Sequence, residues 1–328
     1  MTICLDGWTK KGLTASFLGI PARLFDVQAG VVRHITLALT QLSHLHTGEQ
    51  LAAALNECPQ EWSIPVGKIM LLVTDNGANI VKAVRLLREA SECSEETMSD
   101  EDEYADDDNE HNTEEEPVPD DLPLAKEVNF RRLNCMAHTL QLVIRKVYVE
   151  YRDVLSKARQ LVGKMRKSSV VTEQLLAKCG KTVVSDNSTR WNSTYHMAKR
   201  LLEVKSTVAE VLSNVNIDTL LVDDWAQLEQ LTVILEPFAS QTDILQTDGM
   251  SLASVIPAIL DLKYHLQQST TSIALTQSML ADMAVCFSNL VDPTHPQFNP
   301  LPAAACLLDP NLATVLLSTA GNQLIDHA

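Results

Sequence analysis

Residues 92–125 carry sixteen acidic side chains and no basic one, and this tract divides what the chain can fold into. Its centre, SDEDEYADDDNEHNTEEEPVPDD over 99–121, has too few apolar groups to offset chain entropy, and its like charges repel. We therefore expect 92–125 to be disordered. Patterned sequence flanks it on both sides, so it reads as a surface-loop insertion, which costs little because closure entropy grows only logarithmically with length. The folded cores must come from the flanks. With 328 residues, 45% of them hydrophobic, two packed units are affordable.

The composition also excludes classes. No run of about eighteen apolar residues is present, so no membrane span is expected. MTICLDGWTKKG lacks a basic-then-apolar leader pattern, so secretion is not expected. Seven scattered cysteines read as reduced thiols of the cytosol or nucleus, which leaves the glycosylation-type matches at Asn187 and Asn192 without meaning.

Up to residue 91 the pattern alternates in type. MTICLDGWT, ASFLGIPARLFDV and GVVRHITLALTQL are rich in β-branched and aromatic residues and separated by turn-like stretches, which predicts a three-strand meander. HTGEQLAAALNEC reads as a helix with Thr47 as N-cap and Gln50 closing a capping box. KIMLLVTD is apolar on both faces, as a central strand must be. NGANIVKAVRLLREA is helical, entered through Gly77. The order β-β-β-α-β-α predicts an α/β mixed sheet in which the second apolar strand can lie parallel beside the first.

Beyond the tract, EVNFRRLNC can supply one more short strand. Leu140 to Met165 then repeat at helical spacing for about seven turns, broken at most once. VVSDNSTRWNSTYHMAKRLLEV reads as a loop followed by a helix. Trp225 to Phe238 mark another helix, bent or ended near Pro237. SLASVIPAILDLKYHLQQ and TSIALTQSMLADMAVCFSNL add two more.

The net charge of −16 would argue against a polyanion, but it is unevenly spread. Residues 126–205 hold 17 basic and 6 acidic groups, whereas 206–328 hold one basic and 13 acidic. A local potential, rather than the total, attracts phosphates, so 126–205 is a candidate DNA-binding block. Its cations could equally solvate helix faces.

Three groups of residues could carry chemistry. Asp6 and Asp75 each end an apolar strand, in ICLD and MLLVTD; on neighbouring strands they would share one sheet edge and could hold Mg²⁺ through oxygen ligands. Alternatively, each caps the turn that follows. Cys135 and His138 form a C-x-x-H pair with no second pair at a zinc-like spacing, so no zinc site is expected; they are read as groups near the sheet edge. Arg190 and Trp191, with Lys199 and Arg200, lie in the basic block, where an indole beside a guanidinium can stack on a base and hold a phosphate, or simply anchor the next helix. The acidic tract 92–121 could bind basic protein partners or fold back on the basic block.

LDGWTKKGLTASFLGIPARLFD, LLVTDNGANIVKAV, LNCMAHTLQLVIRKV, STRWNSTYHMAKRLLE, LEQLTVILEPFASQTDILQ and AACLLDP, in this order, resemble the transposase domain of the hAT superfamily, including host proteins derived from it that carry BED-type zinc fingers. The resemblance implies a ribonuclease H-like core with a large all-helical insertion. It implies segments of 1–91 for the first part of that core, 92–125 for the acidic insertion, 126–138 for the last core strand and the start of a helix, and 139–328 for the helical domain. In the active family three acidic residues and Mg²⁺ cut and join DNA; Asp6 and Asp75 match the first two, Cys135 and His138 match the C-x-x-H, and Trp191 matches a Trp associated with handling the DNA end.

The chain departs from that pattern. No Glu follows Glu236, so the third acidic position is not matched, and Asn311 rather than Arg follows LLDP. No C-x₂-C…H finger precedes Asp6, and the C-terminal dimerisation segment, hence homodimerisation, is not matched. The expectation is a catalytically incomplete, transposase-derived nuclear protein that binds DNA through 126–205. The alternatives are a metal-dependent nuclease or strand-transfer enzyme with its missing acid supplied elsewhere, and an acidic protein-interaction scaffold.

Overall fold

A computed structural model describes residues 1–9, 15–42, 47–93, 131–187, 191–213, 215, 217, 219–245, 247, 251–317 and 322–327. The acidic tract expected to be disordered lies almost wholly outside these residues. The chain divides into two compact units, Met1–Thr139 and Leu140–Ala328.

The first unit is a six-stranded mixed sheet with two helices. The first predicted strand is split at Leu5 into β1 (Thr2–Cys4) and β2 (Asp6–Thr9), both antiparallel to β3 (Ser16–Asp26). β4 (Val31–Leu42) runs antiparallel along the other edge of β3, completing the meander. Leu18, Ile20 and Ala22 alternate into the core, as a sheet with one covered face requires. The register shifts between Ile20 and Pro21, where the missing proline N–H cannot join the ladder. β5 (Leu71–Thr74) is parallel to β1 on one side and to β6 (Arg131–Asn134) on the other. Leu71 and Leu72 point to opposite faces and are both buried, as the continuous apolar run predicted.

Helix α1 (Gly48–Glu61) begins at the expected cap, with Thr47 Oγ1 accepting from the Gln50 amide at 3.4 Å. Helix α2 (Ala78–Cys93) follows β5 through Gly77. Leu51 and Leu55 of α1 and Ala83 and Val84 of α2 are buried with Ile3, Leu18 and Leu72 of the sheet in one core.

The second unit is helical. The predicted seven-turn run is α3 (Met136–Glu150) and α4 (Arg152–Lys167), separated at Tyr151; the division between units falls in the first turn of α3. Helix α5 (Ser169–Cys179), not foreseen, starts on the Ser168 hydroxyl, which accepts from the Val171 amide at 3.3 Å. It ends at Gly180, whose φ of 67° is the left-handed conformation that glycine adopts without penalty. Next come α6 (Trp191–Glu203), α7 (Lys205–Leu212), α8 (Val222–Leu245), α9 (Val255–Gln268) and α10 (Ile273–Cys286). Three short helices follow, Ser288–Val291, Leu301–Leu308 and Ala313–Leu316.

Of the two alternatives at Pro237, the helix does not end there: α8 continues two turns to Leu245. A mid-helix proline forfeits a backbone bond and costs about 3 kcal/mol. Burial of Ile234, Leu235, Phe238, Ala239 and Thr242 on both sides of it offsets that loss.

Candidate functional site: a carboxylate edge and a basic helical face

In the first unit, β1 pairs in parallel with β5 at Cys4↔Val73, and β5 with β6 at Thr74↔Asn134. The first of these ladders continues one residue further, since the Leu5 amide donates to the Val73 carbonyl at 3.0 Å. Asp75 and Cys135 are the first residues past the paired ends of β5 and β6, and Asp6 opens β2 one residue beyond Leu5, the last residue bonded along β5.

The turn after β5 is tightly braced. Asp75 Oδ1 accepts the Gly77 amide at 3.1 Å, which is the capping role open to an aspartate after a strand. A Cβ on Gly77 would stand 3.2 Å from that same oxygen, so the turn favours glycine. Arg132 of β6 reaches back with Nε to Thr74 Oγ1 at 2.8 Å and Nη2 to the Asp75 carbonyl at 2.9 Å and Asn76 Oδ1 at 3.0 Å. The Cys135 amide donates to the Thr74 carbonyl at 2.6 Å. His138 follows in the first turn of α3, half-buried.

Cys4 is a member of this edge that sequence reasoning did not single out. Burial pushes its thiol above the usual range, reinforced by Cys135 and Asp6 and opposed by Arg23. Its only sequence signal is its position two residues before Asp6.

Asp6 and Asp75 supply two carboxylates, one of whose oxygens is engaged with the Gly77 amide. Among the described residues no three His, Cys, Asp or Glu side chains are grouped to hold a metal ion. The two-ion site that phosphodiester cleavage needs does not close within this set, and no metal-dependent step follows from it.

In the second unit the basic and acidic blocks of the sequence interleave in space. Lys146 pairs with Asp282 at 2.7 Å, Lys157 with Asp224 at 2.7 Å, Arg159 with Asp186 at 2.7 Å, Lys181 with Glu203 at 2.9 Å and Lys205 with Glu229 at 2.9 Å. Lys178 pairs with Glu210. Four of these pairs, at Lys146, Lys157, Lys178 and Lys205, draw their acid from residues 206–328 and so offset part of the basic excess of 126–205.

The residues singled out for DNA binding share this fate. Lys199 Nζ lies 3.0 Å from the Tyr195 hydroxyl and 2.9 Å from Glu236 Oε1; Tyr195 chiefly, with Glu236, raises its pKa, and Lys199 in turn lowers that of Glu236. Arg200 pairs with Glu203 at 3.2 Å and donates to the Thr182 carbonyl at 3.0 Å. Trp191 is only 7% exposed, and its carbonyl accepts the Tyr148 hydroxyl at 2.6 Å. A buried indole has no face to offer a base, so Trp191 is a helix anchor in this conformation. Arg190 lies outside the described residues.

Behind Trp191 runs a polar network. Thr194 Oγ1 donates to Asp186 Oδ2 at 3.0 Å, and the same carboxylate oxygen takes Arg159 Nε. Burial drives the Tyr148 phenol far above its usual range, so it remains a donor. This network fixes the 185–187 segment against α4 and α6.

The family profile of the ZBED1 RNase-like helical domain matches residues 133–234, from the end of β6 into α8. The candidate transcriptional regulator tpeD of Talaromyces stipitatus is 26% identical over 84% of this chain and 33% of its own length. Human zinc finger BED domain-containing protein 4 is 23% identical over 61% of this chain and 18% of its own. The candidate AC transposase of Zea mays is 23% identical over 83% of this chain and 32% of its own. The chain thus spans a third or less of the length of these relatives.

Proposed function

Since this is a hAT-like chain of the domesticated-transposase family, we propose that it is a transposase-derived regulatory protein of the nucleus that holds DNA through its helical unit without cutting it. The observation that carries this reading is the state of the carboxylate edge. Asp75 is engaged in its own turn, and no third acidic ligand joins the pair among the described residues. The helices of the 133–234 segment, by contrast, are packed, with Leu140, Val143, Ile144, Ala158, Met165 and Leu201 all buried. A packed helical scaffold, with no three-ligand metal group among the described residues, suits binding rather than strand cleavage. The ribonuclease H-like identity of the sheet is part of the same proposal, supported by the strand order β4-β3-β1-β5-β6 with its parallel β1–β5 pair.

The test is an assay of the purified chain on duplex DNA with Mg²⁺ or Mn²⁺. Salt-sensitive binding without strand breaks is the expected result. Breaks that disappear in Asp75→Asn would overturn it in favour of a metal-dependent nuclease or strand-transfer enzyme.

A further inference from the structure

The second unit contains a cleft of about 330 Å³ that the DNA-binding residues considered above do not line. Its floor is one face of α4, where Arg159, Gly163, Arg166 and Lys167 recur at helical spacing, and its wall is the Ser185–Asp186 segment. The two ends of that face differ electrically. Arg159 is paired with Asp186 and fixes the wall in place. Arg166 donates to the neutral Ser185 hydroxyl, and Lys167 has no ion pair among the described residues, although both are exposed. Among the described residues of this unit, nine other Lys and Arg side chains pair with a carboxylate, so two adjacent cations without one stand out.

From this geometry we infer that the cleft is a phosphate subsite, taking a backbone phosphodiester of nucleic acid on Arg166, Lys167 and the Ser185 hydroxyl; the inference rests on the DNA-holding role proposed above. The Arg166 guanidinium is already oriented by Ser185 and keeps further N–H donors for phosphate oxygens, which favours a planar fork over a freely rotating charge. Gly163 leaves the floor open, since a Cβ there would meet no atom within 4 Å, so an oxygen can come close to the helix. A guanidinium fork also suits a carboxylate, but the convergence of a fork, an ammonium and a hydroxyl donor matches the several oxygens of a tetrahedral anion.

The experiment measures binding of the full chain to a fluorescein-labelled duplex of about 20 base pairs, across a salt series. The variants are Arg166→Gln/Lys167→Gln, Gly163→Gln, and a control, Lys178→Gln/Lys205→Gln, which removes the same charge from ion-paired positions. The first variant is expected to bind about tenfold or more weakly, with a log K against log salt slope shallower by about 1. The control is expected to bind like the wild type. Gly163→Gln leaves both cations in place and fills the floor, so it is expected to weaken binding too; it decides the matter if circular dichroism shows that the double variant has lost helicity. Unchanged binding by the cleft variants, or an equal loss in the control, overturns the inference and leaves DNA binding itself standing. Failure of the wild type to bind the duplex overturns both.

Discussion

The Tyr148 hydroxyl of α3 donates a 2.6 Å hydrogen bond to the carbonyl of Trp191, at the first residue of α6. It joins the two helices at the point where the aromatic residue of the Thr-Arg-Trp stretch turns inward. Tyr148→Phe leaves the ring's packing and removes the donor, so we expect a loss of about 1 kcal/mol, measured by urea denaturation. Trp191→Ala should cost about 3–5 kcal/mol, because it empties a core site. A Trp191→Phe variant that keeps wild-type stability yet loses DNA binding would instead assign the indole to the ligand.

Lys199 and Glu236 join α6 to α8, yet 46% and 61% of their side chains remain exposed. Solvent screens such a pair, so a double-mutant cycle with Lys199→Gln and Glu236→Gln should return a coupling below about 1 kcal/mol. Because Glu236 already neutralises the ammonium, Lys199→Gln should change duplex affinity less than twofold, about 0.4 kcal/mol. A loss of tenfold in a fluorescence-polarisation assay would return Lys199 to the interface.

The legible parts of this fold were those written locally. KIMLLVTD announces β5 because a strand covered on both faces must be apolar at every position, and Leu71 and Leu72 are both buried. Thr47 and Gln50 announce the start of α1 because a cap is made within four residues. What was not legible depends on which helices become neighbours. Lys199 and Glu236 are far apart along the chain, and only the packing of α6 on α8 turns two solvated charges into a pair. Trp191 fits a buried anchor and an exposed platform equally well as a residue type, so its spacing carries no decision. The side chain of Arg132 can be assigned to the β5 turn only once β6 is known to pair beside β5.

Arg132 crosses the end of β5 to reach Thr74, the Asp75 carbonyl and Asn76 at once. Replacing it with Gln should free that turn, at a cost of about 2 kcal/mol from the lost charged hydrogen bonds. Asp75→Ala should cost less, about 1 kcal/mol, since only the Gly77 amide is left unpartnered there. Faster hydrogen exchange of the Gly77 amide in both variants, read by NMR, checks the shared turn. Unaltered exchange in Arg132→Gln would mean the guanidinium does not hold it.

Asp224 gives the second unit an acid-sensitive point. Its side chain is 7% exposed, accepts Lys157 Nζ at 2.7 Å, and closes the start of α8 by accepting the Leu221 amide at 3.0 Å. The Lys157 ammonium chiefly, with the Leu221 amide, holds its carboxyl below the ordinary value of 3.8. A carboxyl whose folded pKa is depressed stabilises the fold above its unfolded value, and that contribution is lost as pH falls through the folded one. The wild type should therefore lose stability progressively below about pH 4 relative to Asp224→Asn, which has no proton to take up at that site. At pH 7 the order reverses, with Asp224→Asn less stable by about 1–3 kcal/mol because Lys157 loses its anion. Urea denaturation of both proteins from neutral to acid pH measures the difference. Parallel curves through the acid limb would show that Asp224 does not couple protonation to folding.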